Sequence, residues 1–250
     1  MRSFGRGPDG PRPIRLTRHF QPYAEGSILI ETGNTKVICS ASVEERVPPF
    51  LKDKGLGWVT AEYSMLPRST LTRVSRERAN SGGRSAEIQR FVGRSLRATV
   101  DTSKLGPRTI TIDCDVLQAD GGTRTAAISG GMAALVDACA WLRARGLITE
   151  WPLTHLVAAI SVGVVDGVPL LDLDYEEDVR AHVDMNVAAR SDGTYVEVQG
   201  TAEKQTFDRP TLDRLLDLAG LGTAALFQAQ RACLSDVVEI QETGNRNPAA

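Results

Sequence analysis

A chain of 250 residues that is 42% hydrophobic, with a formal net charge of −2 at pH 7, has the composition of an ordinary soluble globular protein and the length for a sizeable core. Its longest apolar stretch, 153–165, is broken by Thr154, His155 and Ser161 and falls short of the ~20 residues of a membrane span, and its basic N-terminus lacks the apolar segment of a secretory signal. The cysteines, Cys39, Cys114, Cys139 and Cys233, show no CxxC spacing, so they read as buried free thiols of a reducing cytoplasm rather than zinc ligands or disulfides.

Residues 1–13, rich in Gly, Pro and Arg, read as an extended arm. Strand-like segments 27–31 and 36–43 flank Thr32-Gly33-Asn34-Thr35, a hairpin signal, and 58–63 is a further short strand. Residues 65–76 have no apolar periodicity and carry the hydroxyls of Ser69, Thr70, Thr72 and Ser75, which predicts a mobile basic loop. It begins a cationic block: Arg68, Arg73, Arg76, Arg78, Arg84, Arg90, Arg94 and Arg97 stand against only Glu77 and Glu87. A preference for Arg over Lys runs through the whole chain, but it does not account for this clustering, which reads as a surface for a polyanion.

Gly82-Gly83-Arg84 precedes a helix whose apolar stripe is Ile88, Phe91, Val92, Leu96 and Val100. Arg90, Arg94 and Arg97 share another face of it, either for RNA or as a solvated charged face. Residues 108–116 alternate, with Ile110, Ile112, Cys114 and Val116 on one side of a half-buried strand. Ile128, Met132, Leu135, Cys139 and Leu142 then recur at spacings of three and four, an amphipathic helix closed by Arg143, Arg145 and Gly146. Between the two lies Asp120-Gly121-Gly122-Thr123-Arg124, where a glycine pair bares N–H groups at a helix N-terminus beside a hydroxyl and a guanidinium. This is an anion cradle or a plain turn; no Gly-Lys-Ser/Thr follows, so it is not a Walker loop. Arg84 also sits at a helix start, a position the macrodipole disfavours for a cation unless an anion is present. Two arginines are thereby placed to close on one phosphate.

In the second half, segments 156–165 and 168–173 flank Asp166-Gly167, and 187–190 and 195–199 flank Asp192-Gly193, two hairpin signals. Between them lies an acidic run containing Asp172, Asp174, Glu176 and Asp178, followed by Asp184 where the next strand begins. Carboxylates at a strand mouth suit Mg²⁺, although a solvated acidic loop is the simpler reading for Asp172, Asp174 and Glu176. Segments 210–219 and 223–238 predict two closing helices, and 241–250 a frayed tail.

His19, His155 and His182 are not spaced for paired acid–base catalysis, and neither a Gly-x-Ser-x-Gly elbow nor HExxH is present. What remains is phosphate-binding glycines, guanidinium groups and a few carboxylates, the parts of phosphoryl transfer. If orthophosphate is the nucleophile, two anions must be held together. Planar guanidinium forks do that, while Asp178 or Asp184 protonates the leaving 3′ oxygen or holds Mg²⁺ near it.

The segments LTR at Leu16, AEGS at Ala24, GWVTAEYSMLPRST at Gly57, GGRS at Gly82, EIQRFVGRSLRA at Glu87, DCDVLQADGGTRTA at Asp113, DMNV at Asp184 and EVQGTAE at Glu197 together resemble the ribonuclease PH family, phosphate-dependent 3′-to-5′ exoribonucleases that trim tRNA precursors. The resemblance runs from Arg2 to Leu234; Val179 departs from it, standing where relatives usually carry a small polar residue. It implies an α+β two-layer fold with mixed sheets and left-handed βαβ crossovers, one domain over 1–234 with a tail at 235–250, and a ring of six subunits built as a trimer of dimers. It also implies inorganic phosphate as co-substrate, bound by Arg84, Gly122, Thr123 and Arg124, with Asp178 and Asp184 as active-site carboxylates and Mg²⁺ ligands. The loop carrying Arg68, Arg73 and Arg76 would serve assembly and tRNA binding. The competing expectation is a catalytically silent ring subunit that only grips RNA.

Overall fold

The computed structural model describes residues 2–76, 83–203 and 205–237. Gly82, Arg78 and the tail residues 238–250 singled out above lie outside the described residues.

The first half is a five-stranded sheet in the order β1-β2-β3-β5-β4, from β1 (Ile14–Arg18), β2 (Gly26–Thr32), β3 (Thr35–Glu44), β4 (Trp58–Met65) and β5 (Thr109–Gln118). The expected hairpin pairs Thr32 with Thr35 and leaves Gly33-Asn34 as a two-residue loop, Gly33 at φ +58°. β5 pairs antiparallel with β3 and parallel with β4, so the sheet is mixed. A parallel neighbour needs a long crossover, and the chain supplies one containing α1 (Gly83–Arg97) and the short α2 (Thr102–Leu105). The alternation read in β5 holds: Ile110, Ile112, Cys114 and Val116 are buried, while Asp113 and Asp115 face the other way.

The second sheet is antiparallel, β7-β6-β8-β9, from β6 (Val157–Val165), β7 (Val168–Leu171), β8 (Val183–Arg190) and β9 (Tyr195–Ala202). Asp166 and Gly167 turn the first hairpin at φ +51° and +79°, the left-handed pair a two-residue I′ loop requires. The second loop is longer, with the Asp192 carboxylate accepting from the N–H and hydroxyl of Thr194. β8 begins at Val183, earlier than the apolar run indicated, so Asp184 lies inside the strand.

Helix α3 (Thr123–Ala144) packs on β2, β3 and β5 of one sheet and on β6 of the other. It is long and apolar enough to cross a membrane, yet 89% of that span is buried within the protein. Its amphipathic reading is corrected: every residue from Thr125 to Cys139 is buried, because the second face is built mostly of small residues and its charge, Asp137, is paired with Arg18 at 2.7 Å. The cysteines are free, as read, and burial pushes the Cys139 thiol up to about 12.

Three further expectations are overturned. The two closing helices are one, α5 (Arg209–Cys233), which continues through Gly220 and Gly222 and ends before residue 238. Gly222 does not break it; a Cβ there would lie 2.7 Å from Leu171 Cδ1 and 2.9 Å from Ile160 Cγ1, so the glycine lets the helix approach the second sheet. The N-terminal arm is docked rather than extended: Arg2 and Arg6 pair with Glu177 at 2.7 and 3.0 Å, and Arg12 pairs with Asp172 at 2.6 Å. For the same reason the solvated reading fails for Asp172 and Asp174, which are buried against those arginines, and holds for Glu176, which is exposed. One continuous core joins both sheets, from Ile28 to Leu234.

Candidate active site

β5 ends at Gln118, and the chain reverses through Gly121 and Gly122 at φ +73° and +64°, a conformation that side-chain-bearing residues rarely adopt. α3 starts at Thr123 with no side-chain cap on its first amides. A Cβ on Gly121 would lie 2.5 Å from the carbonyl oxygen of Leu173. The glycine loop of the first half therefore lies directly on the segment that opens α4 (Tyr175–Arg180) in the second. That short helix is held by a reciprocal cap between Asp174 and Glu177 and carries Asp178. Arg84 enters from the first turn of α1.

Arg84, Gly122, Thr123, Arg124, Asp178 and Asp184 consequently line one cavity of about 580 Å³. The two guanidinium groups, drawn from separate helix starts, share a hollow with both carboxyls. Arg124 makes long contacts of 3.5 Å to Glu87 Oε1 and 3.4 Å to Gln199 Oε1, and its side chain is 19% exposed. Thr123 Oγ1 lies 2.8 Å from the hydroxyl of Tyr63, a buried residue whose phenol is pushed up by burial against the opposing pull of that hydrogen bond and of Arg84 and Arg124.

Burial is also the main reason the carboxyls are harder to ionise than usual. It raises Asp178, with Arg84 and Arg124 opposing and Glu203 adding. It raises Asp184 to about 6, helped by Asp178 and Glu203 and opposed by Arg124 and Arg84. A carboxyl poised there can hold a proton near neutral pH and give it up. Among the described residues no group of three or more His, Cys, Asp or Glu is placed to hold a metal. The Asp178–Asp184 pair does offer the one or two carboxylates that Mg²⁺ takes alongside water.

The cavity lining is also partly apolar. Leu71, Val74, Tyr175 and Val179 are all exposed at the cavity surface, Tyr175 by 50% and Val179 by 59%. Sequence reasoning missed Tyr63, Ser161, Tyr175, Asn186 and Glu203. Ser161, a hydroxyl inside an apolar strand, was the one visible clue; its Oγ accepts from the N–H of Leu173 at 3.0 Å and so fixes the acid-bearing segment.

The other arginines are dispersed. Arg68 is exposed and donates to the Leu71 carbonyl at 2.9 Å on the cavity rim. Arg73, Arg76 and Arg90 are exposed, Arg76 at a separate hollow over the outer face of the first sheet. Arg94 forks onto Glu197 at 2.8 and 2.7 Å. Arg97 stacks 4.3 Å from the Trp58 ring and donates to the Val59 carbonyl at 2.7 Å, an internal task.

The chain is similar to known proteins over most of its length. A family model described as "3' exoribonuclease family, domain 1" matches residues 10–140, and "domain 2" of the same family matches residues 155–220. A ribonuclease PH from Moorella thermoacetica is 56% identical over 98% of this chain and 99% of its own length. Among solved structures, an Archaeoglobus fulgidus exosome with RNA bound to the active site superposes with a TM-score of 0.76 at 22% identity, covering 91% of each chain. An archaeal exosome core gives 0.72 at 22% identity over 90% of each; at such identities the likeness concerns the fold. With both family models in sequence order and a relative matched end to end, the chain belongs to the 3′ exoribonuclease family, of the ribonuclease PH type.

Proposed function

We propose that the chain is a phosphorolytic 3′-to-5′ exoribonuclease that uses inorganic phosphate to shorten RNA, with the 3′ ends of tRNA precursors as its substrates. The observation that carries this reading is the single cavity holding Arg84 and Arg124 beside Asp178 and Asp184.

Orthophosphate sits between the two guanidinium forks and the amides of Gly121, Gly122 and Thr123, which offset its charge and that of the neighbouring phosphodiester. One phosphate oxygen attacks the last phosphorus of the RNA. The new P–O bond forms as the bond to the 3′ oxygen of the preceding nucleotide breaks. Asp184, its carboxyl raised to about 6 by burial, passes that oxygen a proton from its protonated fraction and recovers one that the attacking phosphate sheds. The products are a nucleoside diphosphate and an RNA shorter by one nucleotide with a free 3′ hydroxyl, and the same steps in reverse add a nucleotide. Asp178, and Asp184 when ionised, are the residues that would hold Mg²⁺, which when bound would supply charge neutralisation at the phosphates. The apolar wall of Leu71, Val74, Tyr175 and Val179 takes the terminal ribose and base by packing, which suits an enzyme that must accept any of the four nucleotides.

Arg68, Arg73, Arg76 and Arg90 are the exposed cations offered to the rest of the RNA; Arg94 joins them only by leaving Glu197, and Arg97 is occupied. A homohexameric ring, a trimer of dimers, and a cytoplasmic setting complete the proposal. With a synthetic RNA bearing an unpaired 3′ tail, shortening is expected to saturate with phosphate and to stop when phosphate is removed. Shortening undiminished without phosphate overturns the reading, and no shortening even in a single turnover leaves the silent RNA-gripping subunit in its place.

A further inference from the structure

Arg12, at the end of the N-terminal arm, lies behind the cavity wall rather than in it and is 1% exposed. Its guanidinium forks onto Asp172, Nη2 to Oδ1 at 2.6 Å and Nε to Oδ2 at 3.0 Å, and its own N–H donates to Oδ2 at 2.8 Å. The remaining donors reach the glycine loop. Nη1 donates to the carbonyl of Asp120 and Nη2, at 3.5 Å, to that of Gly121, whose oxygen also accepts from Thr35 Oγ1 at 2.7 Å. Arg12 thus ties the loop that starts α3 to the segment that leads into α4.

A trans peptide is planar and sets its N–H opposite its C=O. With the carbonyls of Asp120 and Gly121 turned back toward Arg12, the N–H groups of Gly121 and Gly122 are turned away from it. Neither donates to any partner among the described residues. Both glycines line the cavity. Asp172, on the other side of the tie, is held at φ +58°, where a side-chain-bearing residue is strained unless its surroundings fix it. The pairing with Arg12, and an N–H donated to the Ser161 carbonyl at 2.7 Å, do so.

We infer that Arg12 is a positioning residue for the phosphate: through the two carbonyls it aims the Gly121 and Gly122 amides at the anion, and through Asp172 it fixes their distance from the carboxyls of α4 and β8. Arg12 touches neither phosphate nor RNA. The inference rests on the phosphorolytic reading, and the test separates the two.

Steady-state kinetics of Arg12→Lys, which keeps the charge but loses the fork, are compared with wild type, varying phosphate and RNA separately. The expected result is a phosphate KM raised about 10- to 100-fold, the range typical when a group orienting a ligand's direct contacts is removed, with the RNA KM within about twofold. In parallel, the rise in Tm that inorganic phosphate gives the wild type without RNA shrinks or vanishes in the variant. A folded variant with unchanged phosphate KM and an unchanged phosphate-induced shift overturns the inference; so does a loss of kcat and Tm that leaves phosphate KM where it was, which marks a purely structural tie. Should Arg12→Lys not fold, Thr35→Val, which removes the other donor to the Gly121 carbonyl, is read the same way: a raised phosphate KM supports the inference and an unmoved one overturns it. A wild type indifferent to phosphate sinks the parent reading instead.

Discussion

In the proposed mechanism Arg124 and Asp184 set the chemistry of the cavity through two properties, fork geometry and proton affinity. A guanidinium binds an oxyanion through two parallel N–H donors, whereas an ammonium is a point charge. Arg124→Lys is therefore expected to lower kcat/KM for phosphate by about 100-fold or more while RNA affinity, measured by filter binding, stays within about twofold; an equal loss of both assigns Arg124 a structural task. For Asp184, the folded chain keeps the proton up to about pH 6, whereas the ordinary carboxyl value is 3.8. A raised pKa means the folded state binds the proton more tightly, so stability is fully present below the ordinary value and is lost as pH rises toward the folded one. Asp184→Asn removes that titration. In buffer free of metal and phosphate, the variant is expected to be on the order of 2 kcal/mol more stable than wild type at pH 8 and no more stable at pH 3.5, by urea denaturation. A gap independent of pH contradicts the assignment.

At the scale of elements, α5 separates two uses of glycine. Gly222 meets Leu171 and Ile160 closely, whereas nothing lies within 4 Å of a Cβ at Gly220. Gly222→Val is expected to cost about 1–3 kcal/mol by overpacking. Gly220→Ala is expected to add about 0.5–1 kcal/mol through helix propensity alone. Thermal unfolding of the two variants checks both signs. On α4, Tyr175→Ala is expected to raise the KM for RNA several-fold without moving that for phosphate, since the ring stands on the apolar wall. The hairpin at Asp166-Gly167, the alternation in β5 and the glycine loop before α3 were legible in the sequence because each is written in neighbouring residues. The docking of the arm was not. Arg12 and Asp172 are 160 residues apart, and nothing local distinguishes a solvated acidic run from one that buries three arginines. The single closing helix escaped for a related reason: a glycine that breaks a helix and one that admits a neighbouring sheet look alike until the sheet is in place. Of the candidate site, the arginine and glycine positions could be argued from residue patterns, the roles of Asp178 and Asp184 came largely from family resemblance, and the tyrosines and Ser161 awaited the fold.

For the whole molecule, charge is unevenly distributed. Exposed Arg68, Arg73 and Arg76 lie along one loop, and Arg76 borders the hollow over the outer face of the first sheet, which carries Glu62, Asp113 and Asp115. Burial first, then Glu62 and Asp115, raises the Asp113 carboxyl, so that face is crowded with like charge. In the proposed ring the basic loop serves assembly and tRNA. Replacing all three arginines by alanine is expected to weaken tRNA-precursor binding, flatten its salt dependence and shift sedimentation toward smaller species, while a short unstructured RNA is still phosphorolysed if the cavity is complete within one chain. The central claim, that two guanidinium groups hold one orthophosphate against the last phosphodiester, is tested most directly by following the phosphate itself. Purified protein is given ³²P-orthophosphate and a tRNA precursor with a short 3′ extension, and the released nucleotides are separated. The account predicts label in the β-phosphate of nucleoside diphosphates; unlabelled nucleoside monophosphates would contradict it.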